Sequence, residues 1–184
     1  MKTNTKWDSN EILIKDNFFD SETFKNINTD LVLCEQKNKF INRGAVKDNS
    51  VYQRIYFNVE LSSEHFAVKY VTDLFKKRYN IKITNMLSYY FLSTKNNLPT
   101  PHTDVAKINC LIYLNGDQKM ANGTGFYVKD EKNECSVLNS HVGFIENRAL
   151  IFDGSVKEHA TLQSFATGNP SKRYAMANFI NYYD

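Results

Sequence analysis

The sequence predicts a mostly β protein, with N-terminal helices packed against an antiparallel sandwich or jelly roll, and three observations carry that expectation. Capped amphipathic stretches fall within the first 80 residues. From residue 81 onward, short β-like segments alternate with Asn, Gly, Asp and Pro, and no repeat or low-complexity tract interrupts them. A chain of 184 residues suits one domain, 1–184, in which residues 1–80 give helical support and a flap and residues 81–184 give the β core. With 42% hydrophobic and 14% aromatic residues, that core needs no covalent staples.

Taken in order, Glu11 to Lys15 is a strand-like run, and Asp20-Ser21-Glu22 offers a cap and acidic first turn for a helix to Leu31. Gln36 to Ser50 turns to Lys, Asn, Arg and Gly, the composition of a long loop suited to a flap. Val51 to Val59 alternates as a strand does, and Ser62-Ser63-Glu64 reads as the cap of a second helix ending at Asn80. Ile81 to Leu92, Lys107 to Leu114, Gly125 to Val128, Arg148 to Phe152 and Arg173 to Tyr182 are the β-like segments that follow.

The net charge of +3 is small and its lysines lie among acids, so composition does not announce a nucleic-acid binder. Lys76-Lys77-Arg78 reads as a set of cations at a helix C-terminus, where they complement the dipole. Cys34, Cys110 and Cys135 are odd in number, with no CxxC pair, which points away from a disulfide framework or a zinc-thiolate site and toward reduced thiols in a cytoplasm. No segment approaches the roughly 20 apolar residues of a membrane helix, and no membrane partner is expected.

The chemistry concentrates in His102-Thr103-Asp104. Side chains two apart on an extended segment share a face, so His102 and Asp104 can grip one ion. A third ligand must come from elsewhere, and His159 lies just past a strand. Two imidazoles and one carboxylate leave adjacent positions open, which suits iron(II) with a chelating co-substrate and O2. Arg173 opens an otherwise apolar strand, and its guanidinium fork matches the far carboxylate of a bound dicarboxylate. His65, on a capped helix, and His141, in a polar stretch, read as surface residues, and Arg54 as part of a solvated strand face.

PHTD at 101–104, IYLN at 112–115, NGTGFYV at 122–128, NRALIFDG at 147–154, the late His159 and RYA at 173–175 come in an order that resembles the iron(II)/2-oxoglutarate oxygenases of prolyl-hydroxylase type. The resemblance covers Ile83 to Tyr182, and Ile14 to Phe24 is similar to the family's lead-in strand and helix. It implies a double-stranded β-helix core, iron at His102, Asp104 and His159, and 2-oxoglutarate held by Arg173 and touched by Tyr113, with Tyr90 as a further contact. Phe91, Leu111, Phe126 and Phe152 would line an apolar pocket. The family often carries Ser or Thr two or four residues after the arginine, where this chain has Ala175 and Ala177, so Tyr113 is expected to supply the second carboxylate contact alone. The implied activity is hydroxylation of a C–H bond with release of succinate and CO2, a peptidyl prolyl residue leading as substrate. A free amino acid or other small molecule, and a non-catalytic jelly-roll binding module, are the alternatives; oxidative repair of nucleic acid ranks below a peptide.

Overall fold

The structure, a computed structural model, describes residues 8–42, 57–93, 101–116, 122–130, 132, 135–162 and 172–182. Its elements run β1 (Ile12–Lys15), α1 (Ser21–Gln36), β2 (Ile41–Asn42), β3 (Phe57–Leu61), α2 (Phe66–Tyr79), β4 (Ile83–Ser93), β5 (Ile108–Gly116), β6 (Thr124–Asp130), β7 (Cys135–Val142), β8 (Ala149–Phe152), β9 (Glu158–Thr161) and β10 (Arg173–Tyr182). Seven strands form one sheet in the order β1-β8-β5-β10-β4-β3-β2, and β7-β6-β9 form a second. The strand pairs are antiparallel, and the two sheets make the jelly-roll sandwich that the sequence predicts.

Both helices form where local signals place them, with two corrections at their ends. In α1 the Asp20 carboxylate accepts the Thr23 N–H at 2.8 Å, as expected of the cap. The helix continues to Gln36 rather than Leu31, because Ile27, Leu31 and Cys34 prolong one buried stripe at helical spacing. For α2 the cap is His65, not the serines before it: its Nδ1 accepts the Ala67 N–H at 3.3 Å. His65 is also no surface residue. Its side chain is 17% exposed, its Nε2 lies 3.0 Å from Asp30 of α1, and its ring meets Tyr90 edge-on at 5.8 Å. Asn80 closes α2 in the left-handed conformation, after the basic last turn of Lys76, Lys77 and Arg78.

Strand parity divides the seven-stranded sheet into two faces. Tyr90, Ile112, Leu114, Met176 and Ile180 turn toward the helices and join Ile27, Leu31, Val71 and Phe75 in the main core. Each large aliphatic chain buried there contributes about 1.5–3 kcal/mol. The odd-numbered residues of β4, β5 and β10 turn toward the smaller sheet, where Tyr113, Phe126, Phe144, Leu150 and Phe152 form a second cluster. Because β10 is covered on both faces, it reads as a nearly continuous apolar run. The edge strand β7 is almost wholly exposed, and its polar sequence gave no strand signal. His141 lies on it, exposed as expected. Cys34 and Cys110 are buried free thiols and Cys135 an exposed one. Among the described residues no helix is long and apolar enough to cross a membrane. Of the loop expected over Gln36 to Ser50, Gln36 instead closes α1 and Ile41–Asn42 form β2, while 43–50, the strand residues 51–56 and Arg54 lie outside the described residues.

Candidate metal and co-substrate site

The two histidines meet because backbone hydrogen bonds join their segments. His102 N–H donates to the His159 carbonyl at 3.0 Å, and His159 N–H returns a bond to His102 at 2.9 Å. His159 lies inside the short strand β9, held against Phe126 of β6, rather than past a strand end. A third backbone bond, from Asp104 N–H to the Gly154 carbonyl at 2.7 Å, brings the carboxylate to the same point. The ring centroids of His102 and His159 are then 4.7 Å apart. Asp104 Oδ1 stands 3.8 Å from His102 Nε2, and its Oδ2 stands 3.3 Å from His159 Nε2. One donor atom from each residue falls within 4.8 Å of the others, a spacing one ion can bridge.

The surroundings favour metal binding. His159 Nδ1 lies 2.9 Å from the Lys157 carbonyl, which can only accept, so a neutral ring keeps its proton on Nδ1 and would offer the Nε2 lone pair to a metal in place of the contact with Asp104. Burial pushes the Asp104 carboxyl up, but hydrogen bonding and charge from His159, with help from the Asn109 amide and His102, outweigh it and hold the group below the ordinary carboxylate value. Asp104 is therefore an anion at neutral pH. A set of two imidazoles and one carboxylate fits iron(II) with open positions better than a closed zinc centre.

Arg173 lies in the same cavity, of about 350 Å³, whose lining also includes Leu111, Ala175, Ala177, Phe91 and Asn58. It is 3% exposed. Its Nη1 donates to the Gly123 carbonyl at 3.1 Å, its Nη2 lies 3.5 Å from the Thr124 hydroxyl, and the guanidinium sits 4.8 Å over the Tyr113 ring. Its Nε is buried with no partner, and among the described residues no carboxylate reaches the group. Burial pulls its pKa below the ordinary arginine value, against a weaker opposing pull from Tyr113. A cation withdrawn from water without a counter-ion costs several kcal/mol, which an anionic ligand would offset. The residues present thus fit a dicarboxylate as well as a metal.

Tyr113 is buried beside the arginine, behind the cavity lining, its hydroxyl donating to Thr124 Oγ1 at 2.8 Å, and burial raises its pKa. A bulge on β5 beside it, where Leu114 is left unpaired between Tyr113 and Asn115, re-aims the strand end toward Arg173. Tyr90 is corrected. It is fully buried on the helix-facing side of β4, in the main core, and cannot touch a ligand in this cavity. Its neighbour Phe91 lines the cavity in its place. Phe152 and Leu111 also line it, whereas Phe126 stands behind, edge-on to Phe152 at 5.1 Å. Ala175 and Ala177 face the cavity, and the hydroxyl the sequence leaves unassigned there is that of Thr124, within the NGTGFYV motif. The sequence reading also missed Asn109, whose amide holds Asp104, and Asn58, whose Oδ1 is buried without a partner.

No protein-family model matches the sequence, and no curated protein matches it at a significant level. Solved structures do. A prolyl hydroxylase from Trichoplax adhaerens, in complex with a hypoxia inducible factor oxygen degradation domain peptide fragment, matches with a TM-score of 0.68 at 18% identity, over 94% of this chain and 84% of that one. A prolyl-4-hydroxylase from Pseudomonas putida matches with a TM-score of 0.64 at 9% identity, over 92% and 91%. The fold is that of the prolyl hydroxylases. HygX from Streptomyces hygroscopicus, with nickel and 2-oxoglutarate bound, has it too, with a TM-score of 0.56 at 11% identity over 93% of this chain and 83% of that one. In this fold the His-Asp-His cluster lies between the two sheets, with a buried arginine in the same cavity.

Proposed function

We propose that the chain is an iron(II)- and 2-oxoglutarate-dependent hydroxylase acting on a peptidyl residue, prolyl first among them. One observation carries the reading: a buried arginine without a counter-ion shares its cavity with an open His-Asp-His cluster. Iron(II) bound there with 2-oxoglutarate would supply the oxidative step, in which O2 is consumed, 2-oxoglutarate leaves as succinate and CO2, and one oxygen atom enters a substrate C–H bond.

The protein's part is to bind, orient and exclude water. His102, Asp104 and His159 hold the metal. Arg173 pairs with the far carboxylate of 2-oxoglutarate, while the Thr124 and Tyr113 hydroxyls complete its hydrogen bonds. Leu111, Ala175 and Ala177 make an apolar floor between the two ends, and Phe91 and Phe152 keep water from the reacting atoms. Asn58, on β3 opposite Phe91, offers its unpaired Oδ1 to a donor on the substrate.

The peptide assignment is supported by the neighbour that carries a peptide and by the absence of a basic stripe in a chain of charge +3. The test is succinate formation coupled to the mass gain of one oxygen atom on peptide, free amino acid and methylated oligonucleotide panels. Proline-containing peptides should gain oxygen in step with succinate. Demethylation of an oligonucleotide with steep salt dependence and no peptide product would reject the peptide and keep the metal and 2-oxoglutarate. Metal and 2-oxoglutarate binding without any turnover would favour a binding module.

A further inference from the structure

Asn109 and Gly154 stand next to the metal cluster without being ligands, and both have an unusual local geometry. Asn109 is 5% exposed, on β5, and faces the cavity. Its Nδ2 donates to Asp104 Oδ2 at 2.5 Å, while its Oδ1 is buried with no partner. A side-chain amide with one end satisfied and the other stranded would ordinarily rotate or move to recover the loss, which is on the order of 1–3 kcal/mol for the unmade bond. This one stays because the contact it does make is to a carboxylate, and charge-assisted bonds are about twice as strong as neutral ones.

Gly154 explains how the amide fits. A methyl group built on Gly154 would lie 2.5 Å from Asn109 Oδ1, 2.6 Å from its Cγ and 2.7 Å from its Nδ2. Its φ is not in the left-handed region, so the requirement is for space and not for backbone freedom. The same residue's carbonyl accepts the Asp104 N–H at 2.7 Å. Gly154 therefore anchors the backbone of Asp104 and clears the seat of the amide that grips its side chain. With Oδ2 tied to Asn109, the carboxylate cannot rotate freely, and its oxygens stay aimed one at each histidine, Oδ1 toward His102 and Oδ2 toward His159.

We propose that Asn109 and Gly154 act as one positioning pair that presets the Asp104 carboxylate for metal, Asn109 by its hydrogen bond and Gly154 by the room it leaves for that amide. The inference rests on the metal site proposed above. Partners at this remove from a metal typically contribute 10- to 100-fold in affinity.

The test uses Mn(II) as the probe, titrated into the metal-free full-length chain and followed by the loss of its free-ion paramagnetic resonance signal. Asn109→Ala and Gly154→Ala should each weaken Mn(II) binding by about 10-fold or more, with the unfolding midpoint of the metal-free protein nearly unchanged in Asn109→Ala. Asn109→Ser, which restores a short donor, should recover part of the loss. The double variant should bind Mn(II) no more weakly than Asn109→Ala, because Gly154 has nothing left to accommodate. Unchanged Mn(II) affinity in Asn109→Ala, or losses that multiply in the double variant, would overturn the pair while leaving the metal site intact. A parent chain that fails to bind Mn(II) would overturn both.

Discussion

On the helix-facing side of the seven-stranded sheet, Tyr90, Ile112, Met176 and Ile180 pack into a core whose buried polar side chains are neutral, Ser88 meeting Asn178 at 2.8 Å and the Tyr90 and Tyr174 hydroxyls lying buried among apolar neighbours. On the opposite side the same strands bury Arg173, Tyr113, Asn109 and Asn58, so that a cation and two amides face the cavity. The strands, the register and the burial are shared, so neither backbone nor depth explains the contrast. What differs is that one face is filled by two helices and the other opens on a cavity. A buried cation with no carboxylate partner among the described residues is the feature that sets the cavity face apart, and an anionic ligand at Arg173 would offset its cost.

The largest expected effect comes from removing a metal ligand. Asp104→Ala takes away the only carboxylate of the cluster and should weaken Mn(II) binding by more than about 100-fold, beyond the range expected of an indirect partner. Titration of the metal-free chain measures it, and parent-like affinity at neutral pH would move the site elsewhere.

Arg173→Met asks whether the cavity face really lacks an anion. Truncating a buried charged contact costs about 2–5 kcal/mol of binding, so 2-oxoglutarate affinity should fall by roughly 30-fold or more while Mn(II) affinity holds. Because the guanidinium has no counter-ion without ligand, the unliganded variant should unfold at the same temperature as the parent or higher. The two measurements pull apart only if the arginine serves a ligand. A variant that loses stability and keeps its 2-oxoglutarate affinity would make Arg173 a structural cation.

A smaller effect separates two buried tyrosines. Tyr113→Phe removes a hydroxyl beside Arg173 and should lower 2-oxoglutarate affinity by the worth of one hydrogen bond, about 0.5–1.5 kcal/mol. Tyr90→Phe, on the helix face, should leave that affinity unchanged, since its hydroxyl lies in the main core near Asp30 and away from the cavity. Equal losses in a calorimetric titration of the two variants would erase the distinction between the faces.

That distinction was the hardest thing to read in the sequence. The metal cluster was legible because His102 and Asp104 announce themselves by spacing and the later motifs keep their order, and the structure brings all three donors together. Tyr89-Tyr90-Phe91 gave no such help. Aromatic rings stand on both faces of this part of β4, so the sequence shows no alternation and nothing in the run says which ring meets the cavity. His65 was misplaced because two serines ahead of it imitate a cap, while the tie to Asp30 spans 35 residues of chain. β7 escaped because an exposed edge strand needs no apolar face. Asn109 and Asn58 matter through what they lack, and an unmade hydrogen bond leaves no trace in sequence.

The smallest effect contrasts Arg173 with Arg148, an arginine that does have its counter-ion. Arg148 donates from Nε and Nη2 to the two oxygens of Asp16, at 2.5 and 2.9 Å, clamping the end of the edge strand β1 to the start of β8. The hydrogen bond from Arg148 holds the Asp16 carboxyl below its ordinary value, against a small upward push from burial. A depressed folded value means that the stabilisation is complete above the unfolded pKa, about 3.9, and is lost as pH falls through the folded one. Asp16 is 53% exposed, so water screens the pair and its worth stays within about 1 kcal/mol. Asp16→Asn should therefore lower the unfolding midpoint by about 2–4 °C at pH 7. The gap from the parent should close as the pH is taken below about 4. A gap that persists in acid would show that the clamp works through packing and not charge. A drop in 2-oxoglutarate affinity would be harder to accommodate, since this arginine already has its anion and the cavity does not depend on it.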